Sequence, residues 1–230
     1  MKYFVSLILF IVISFNACST GFNIVDKPVS FSDVRIAMTK EYMLKHYELE
    51  LDNIAMEPKV IVLHWTAIDN FDSCWVLFNR ETLGDSRPDL NGSGNVNVGV
   101  QFLVDKNGIV NRLTPETWMG RHCIGINYNS IGVENVGGQN NTDNLTDEQL
   151  DANINLVKYL KEKYPSIEYL IGHHEYREFE GHELWREVDE NYRTTKYDPG
   201  ERFMSEVRNA VANLNLKGVS EIRSEKKLNN

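Results

Sequence analysis

The sequence predicts an α/β fold, a single domain in which a central mixed β-sheet is flanked by helices. Short apolar runs of strand length, such as 60–63 and 167–171, alternate with longer segments whose apolar residues recur at helical spacing. An Asn-Gly pair at 107–108 separates two further apolar runs and predicts an antiparallel hairpin. A sheet that combines this hairpin with strands joined through helices is mixed.

The first helix is predicted to begin at its cap, Ser32, and to run to about Tyr47, with Val34, Met38 and Tyr42 on one side. The first core strand follows it. A loop is then predicted, because Gly, Pro, Asp, Asn and Ser are concentrated over 84–95. Further strands are predicted at 96–104, where alternate residues share a face, and at 131–136.

The second half of the chain begins with a helix that carries a capping box. Thr146 and Gln149 form this box, and the apolar stripe that follows stops before Pro165. The last helix is predicted to start near Pro199. Residues 217–230 are polar and are predicted to be a frayed tail, so the folded domain is expected over 32–216.

The first residues are predicted to direct export. Lys2 is followed by an apolar stretch that is too short to span a membrane, and residues 1–17 therefore predict a signal peptide of the lipoprotein type. Cys18 would carry the lipid, and 18–31 would be a tether to a domain in the periplasm or on the outer membrane. A plain secretory signal and an uncleaved anchor are the alternatives.

The net charge bears on which macromolecules the protein can bind, and the cysteine content bears on whether it has a disulfide. The net charge is −9, and it becomes −10 when Lys2 leaves with the signal peptide. An acidic surface repels phosphate backbones, so we expect no nucleic acid partner, and we expect a monomer. Cys74 and Cys123 would either form a disulfide in an exported protein or remain two buried thiols.

Two histidines and one aspartate are candidates for a metal site. His64 and His173 each follow an apolar run of strand length, and Asp198 lies in a Lys-Tyr-Asp-Pro-Gly segment. Two imidazoles and one carboxylate are a common protein ligand set for catalytic zinc. Asp198 has another interpretation, since Asp-Pro also begins helices. Glu134, inside an apolar strand, either faces solvent or belongs to a site.

Four blocks of the sequence, taken in order, resemble the zinc-dependent N-acetylmuramoyl-L-alanine amidases of the type-2 amidase family, which is related to peptidoglycan recognition proteins and T7-type lysozyme. The blocks lie at 60–66, 130–134, 171–175 and 196–200, and the resemblance covers roughly residues 55 to 215. It implies cleavage of peptidoglycan or muropeptides at the amide between N-acetylmuramic acid and L-alanine. It also implies that 32–216 is the catalytic domain.

The resemblance implies a role for each matching residue. His64, His173 and Asp198 would bind Zn²⁺, Glu134 would assist the attacking water, and Lys196 would stabilise the oxyanion. A second set would bind the substrate. It consists of His122, its neighbour Arg121, and Trp65, which offers an apolar wall unless it belongs to the core.

One departure from the family pattern leaves alternatives open. The insert 175–197 makes the gap before Asp198 longer than usual, so His182 is a rival ligand. Two other functions are also considered. The chain would be a binding module that recognises muropeptides without cleaving them, or a zinc peptidase that acts on the stem peptide.

Overall fold

The computed structural model describes residues 22–84, 87–90 and 92–228. Within this part of the chain, six strands form one sheet in the order β1-β4-β3-β5-β2-β6. Their bounds are Ile24–Asp26 (β1), Val60–Trp65 (β2), Phe102–Val104 (β3), Val110–Arg112 (β4), Ser130–Asn135 (β5) and Tyr169–Gly172 (β6).

Five α-helices pack around the sheet in the described residues. They are Asp33–Tyr47 (α1), Phe71–Asn79 (α2), Asp147–Lys163 (α3), Glu201–Ala210 (α4) and Val219–Leu228 (α5). Short 3-10 segments occur in the connections, including His173–Phe179 directly after β6. The predicted α/β class, with a mixed sheet flanked by helices, is confirmed.

The sheet is mixed because one hairpin interrupts otherwise parallel pairing. β3 and β4 are antiparallel across the Asn107-Gly108 turn, as predicted. β2 lies between β5 and β6 and runs parallel to both. The carboxyl ends of these three strands therefore meet at one edge, where residues following parallel strands commonly form sites.

Alternation along β2 separates two layers of the core. Ile61, Leu63 and Trp65 pack with residues of α3 and α4. Val60 and Val62 face the other side, where they pack with residues of α1. Since side chains alternate along a strand, His64 leaves the sheet on the α1 side.

The boundaries of α1 and α3 agree with the sequence analysis, but the buried face of α1 does not. Ser32 caps α1, and Thr146 with Gln149 forms the capping box of α3. Val34 was placed on the buried side of α1, but it is 62 % exposed. Arg35 is buried instead, because its guanidinium donates to the carbonyls of Ser30 and Phe78. The spacing of apolar residues along a helix cannot predict a buried arginine, because arginine is not counted among them.

The folded part extends beyond 32–216 at both ends. Residues 24–26 lie in the predicted tether, but they form β1 and pair with β4. The predicted polar tail forms α5, in which Ile222 is fully buried. The run 96–104 is a strand only at Phe102–Val104, and the residues before it are irregular.

Three further predictions concern export and cysteines. The signal peptide 1–17 and the lipidation site Cys18 lie outside the described residues. Among the described helices, none combines the length and the apolar character needed to cross a bilayer. Cys74 and Cys123 are both buried and free, which is the second of the two alternatives considered for them.

Candidate metal centre

His64 and His173 are brought together by the parallel pairing of β2 and β6. His173 follows β6 directly, as predicted. His64 was expected past the end of its strand, but it is the fifth residue of β2. The strand continues because the backbone N–H of Thr66 donates to the carbonyl of Asn135 on β5.

Three ligand-type atoms converge at this edge of the sheet. Nδ1 of His64 lies 2.9 Å from Nδ1 of His173. Oδ2 of Asp198 lies 3.0 Å from the His173 nitrogen and 3.3 Å from the His64 nitrogen. Ligand atoms around a tetrahedral zinc ion are separated by about 3.3 Å. The donor set and its spacing therefore fit zinc.

Burial sets the protonation of the three side chains. Burial, and then the nearby His173, lowers the pKa of His64 to about 4. Burial also lowers the pKa of His173. Burial alone would raise the pKa of Asp198, but His173 and His64 hold it well below its usual range. At neutral pH the set is two neutral imidazoles and one carboxylate, the forms that bind a metal.

Asp198 is not the cap of the last helix. α4 begins at Glu201, its N-cap is Gly200, and the side chain that accepts from its first turn belongs to Asp143, which bonds the backbone N–H of Phe203 at 3.3 Å. The backbone carbonyl of Asp198 accepts from the backbone N–H of His174 at 2.8 Å. The carboxylate is therefore directed at the histidines rather than at the helix, and the interpretation of Asp-Pro as a cap is wrong.

Glu134 lies on β5 in register with His64 and lines the cavity beside it. Its Oε2 is buried and has no hydrogen-bond partner among the described residues. Burial, and then the nearby Asp198 carboxylate, raises the pKa of Glu134 to about 8. A carboxyl group with such a pKa can both take and return a proton near neutral pH.

Lys196 contributes a cation to the same cavity. It lies two residues before Asp198 and is partly buried. Burial, and then the Arg87 guanidinium, lowers the pKa of Lys196. Arg87 also lines the cavity but belongs to the 84–95 loop, and no motif in the sequence indicated it.

A cavity of about 440 Å³ opens over these groups, and its lining includes all three residues predicted to bind substrate. Arg121 is buried and donates to the carbonyls of Gly94 and Val96 and to the hydroxyl of Tyr192. It therefore holds the cavity wall together. His122 lies against His64, with Nδ1 of His122 3.1 Å from Nε2 of His64.

Trp65 is a core residue. Its side chain packs with Ile61 and Leu63, and only 6 % of it is exposed. A Cβ at Gly138 would lie 2.1 Å from the ring, so the backbone closes over the indole. Trp65 thus packs in the core and also borders the cavity, so its contact with substrate stays a prediction.

The insert 175–197 forms a wall of the cavity. Glu187 pairs with the buried His46 of α1 at 2.9 Å, and the Tyr176 hydroxyl donates to the carbonyl of Thr194 at 2.7 Å. His182, the rival ligand, lies apart from the metal set, since its ring pairs with Glu225 of α5 at 3.2 Å. The long insert thus contributes residues to the cavity wall, and Asp198 still converges with the two histidines.

The fold and the site define an α/β protein with a candidate hydrolytic metal centre at one edge of its sheet. The sequence matches the family model of N-acetylmuramoyl-L-alanine amidases over residues 54–201. The chain belongs to this family and is an amidase. Among curated proteins, no sequence is matched.

Two solved amidase structures share the fold, and a third solved protein is similar at a lower TM-score. N-acetylmuramoyl-L-alanine amidase LysC from Clostridium intestinale URNW is 23 % identical, with a TM-score of 0.50 over 85 % of this chain and 99 % of that chain. The endolysin amidase LysCS from the same organism is 22 % identical, with a TM-score of 0.51 over 85 % and 97 %. Peptidoglycan recognition protein-LE, solved with tracheal cytotoxin, is 17 % identical, with a TM-score of 0.49 over 79 % and 95 %.

Proposed function

We propose that this protein is a zinc-dependent hydrolase of the amide bond between N-acetylmuramic acid and L-alanine in peptidoglycan or muropeptides. The convergence of Nδ1 of His64, Nδ1 of His173 and Oδ2 of Asp198 within 3.3 Å of one another carries the proposal. Membership in the amidase family supports the choice of bond.

His64, His173 and Asp198 would hold the metal. Bound zinc would supply a Lewis acid that acidifies water and polarises the scissile carbonyl. The two neutral imidazoles and the single carboxylate leave a net charge of about +1 on the occupied site. An ion that retains positive charge remains a good Lewis acid.

Glu134 is the base in this proposal. It lines the same cavity, and its Oε2 is buried without a hydrogen-bond partner among the described residues, so the oxygen keeps a free lone pair that can accept a proton. Its carboxylate takes a proton from the attacking water and returns it to the nitrogen of the leaving L-alanine. The raised pKa of Glu134 suits the second transfer, because the protonated form is stable enough to act as an acid, and a bound cation would favour the carboxylate that the first transfer needs.

Lys196 is the donor to the developing oxyanion. Its ammonium lies in the cavity wall near both Asp198 and Glu134, whose charges act on it. As the carbonyl carbon becomes tetrahedral, negative charge grows on the carbonyl oxygen, and a fixed cation lowers that barrier.

We propose that the enzyme acts in the cell envelope, attached through lipid on Cys18. The basic start, the apolar segment and the cysteine that follows it support export and anchoring. Attachment to a membrane surface would hold the enzyme near the peptidoglycan polymer and its fragments.

Digestion of purified muropeptides tests the proposal against its two rivals. The products are separated and weighed by mass spectrometry. We expect a free stem peptide with an L-alanine amino terminus and an intact sugar that retains its lactyl group. Cleavage within the stem peptide would indicate a peptidase instead, and tight binding without cleavage would indicate a recognition module.

A further inference from the structure

A third imidazole lies behind the candidate metal site. Nδ1 of His122 is 3.1 Å from Nε2 of His64, the nitrogen of His64 that faces away from Asp198. The two rings meet edge to face, with centroids 5.1 Å apart and planes at 85°. This contact leaves Nδ1 of His64 directed at the metal position and Nε2 directed at His122.

The surroundings of His122 determine which of its nitrogens carries the proton. Nε2 of His122 faces the Ser130 carbonyl and the Ser130 hydroxyl, both at 3.3 Å. The hydroxyl donates its hydrogen to the carbonyl of Ile126 at 2.7 Å, so both Ser130 oxygens are acceptors toward the ring. Nε2 of His122 therefore carries the hydrogen, and its Nδ1 has a lone pair.

The same reasoning extends to His64. Because Nδ1 of His122 accepts, the hydrogen in the 3.1 Å contact belongs to Nε2 of His64. A neutral imidazole carries one N–H, so Nδ1 of His64 is left with the lone pair that a metal requires. The chain of bonds runs from His64 through His122 to the Ser130 carbonyl.

We propose that His122 is a positioning residue, which holds His64 in its metal-binding tautomer and orientation and thereby strengthens zinc binding. The inference rests on the proposed function, since zinc is the ion concerned. Partners that accept from the remote N–H of a ligand histidine typically contribute a factor of about 10 to 100 in metal affinity.

The backbone and a neighbouring glycine hold the His122 ring in place. The backbone N–H of His122 donates to Oδ1 of Asn127 at 2.8 Å. Nδ2 of Asn127 donates to the hydroxyl of Tyr47 at 2.8 Å, which ties this loop to α1. On the other side, a Cβ at Gly132 would lie 2.8 Å from Cγ of the ring. The ring therefore occupies a space that the absence of a side chain at Gly132 leaves open.

Substitutions at His122 separate the hydrogen bond from the filling of space. His122→Asn places an amide oxygen near the position of Nδ1, whereas His122→Leu fills similar volume without an acceptor. Zinc affinity is measured by competition with a chromogenic chelator, and thermal unfolding checks that both variants are folded. We expect His122→Leu to lose about 10- to 100-fold in affinity and His122→Asn to keep most of it.

The tautomer of His64 is a second readout that does not need the metal. Long-range ¹H–¹⁵N spectra of the metal-free protein report which imidazole nitrogen carries hydrogen. We expect the Nε2–H form of His64 in the wild type and in His122→Asn, and a mixture in His122→Leu. Equal zinc affinities and equal tautomer populations in the two variants would overturn the proposal. If the wild type binds no zinc but His64 has the Nε2–H tautomer, the proposed zinc binding is wrong, whereas the hydrogen-bond chain from His64 through His122 is supported.

Gly132→Ala displaces the same ring without changing it. Its Cβ would contact the imidazole at 2.8 Å, so the ring must shift from His64. Gly84→Ala is the matched control, since no atom lies within 4 Å of a Cβ there. We expect weaker zinc binding in Gly132→Ala only. Wild-type affinity in a folded Gly132→Ala protein would contradict the positioning role.

Discussion

Glu134 and His64 are register partners on the parallel strands β5 and β2, so their side chains leave the sheet on the same face. They are 70 positions apart in the chain, but strand pairing makes them neighbours. One strand thus carries a ligand-type side chain and the next carries the base proposed here. The sheet, rather than a flexible loop, sets the distance between them.

Replacement of the base tests the role of Glu134. Glutamine has the shape of glutamate but cannot take a proton, so Glu134→Gln is expected to lower kcat by about 10²-fold or more while zinc content is unchanged. Turnover of a muramoyl-peptide and metal content are measured together. Glu162→Gln, on the exposed face of α3, is the control. Near-wild-type turnover by Glu134→Gln would remove the base from the mechanism.

Replacement of the cavity cation tests Lys196. Lys196→Met keeps most of the length and removes the charge, so kcat is expected to fall by about 10²- to 10³-fold with zinc retained. Lys158→Met, on the exposed side of α3, should leave kcat unchanged. If Lys196→Met loses its zinc, the residue supports the structure of the insert and is not an oxyanion donor.

The raised pKa of Glu134 predicts a pH dependence of stability in the metal-free protein. Its pKa is about 8 in the folded state against an ordinary value of 4.5, so between these values the folded protein holds a proton that the unfolded chain has released. Stability falls as pH rises through this window. Metal-free Glu134→Gln lacks this titrating group. The Tm of the variant minus the Tm of the wild type should therefore increase as the pH rises from about 5 to about 8. A difference in Tm that is constant with pH would contradict the prediction.

Lipid attachment predicts the behaviour of the mature protein in cell fractions. Cys18→Ser should move the protein from the membrane fraction to the aqueous phase, because the acyl chains are the anchor in this account. Detergent partitioning of both proteins is the measurement. If the wild type already partitions into the aqueous phase, Cys18 carries no lipid.

The sequence allowed prediction of the elements that depend on local patterns. The cap at Ser32, the capping box of α3 and the hairpin at Asn107-Gly108 were all expected, since each depends on residues close in the chain. His64 and His173 were paired as candidate ligands because each follows an apolar run of strand length, whereas the assignment of Asp198 depended on the match of the Lys-Tyr-Asp-Pro-Gly segment rather than on spacing. In the structure, the parallel pairing of β2 and β6 brings the two histidines together, and a backbone hydrogen bond from His174 to Asp198 places the carboxylate beside them.

Other features depend on pairings that the sequence does not display. β1 has three residues and exists because β4 offers it an edge, so a polar lead gave no sign of it. Ile222 anchors α5 although the surrounding residues are polar. The position of His122 behind His64 required the turn at Asn127 and the space at Gly132. Arg87 lines the cavity, but it belongs to a loop in which no motif indicated a functional residue.

Zinc reconstitution tests whether amidase activity depends on a metal held by His64, His173 and Asp198. The wild type is stripped with a chelator, and zinc is returned in known amounts while amidase turnover is followed. We expect the stripped enzyme to be inactive and to recover fully at one equivalent. His182→Ala, which removes the rival ligand, should recover in the same way, whereas His173→Ala should neither bind zinc tightly nor recover, because two remaining ligands hold zinc weakly. Full turnover by the stripped wild type would show that the activity does not need zinc, and recovery of His173→Ala at one equivalent would show that His173 is not a ligand.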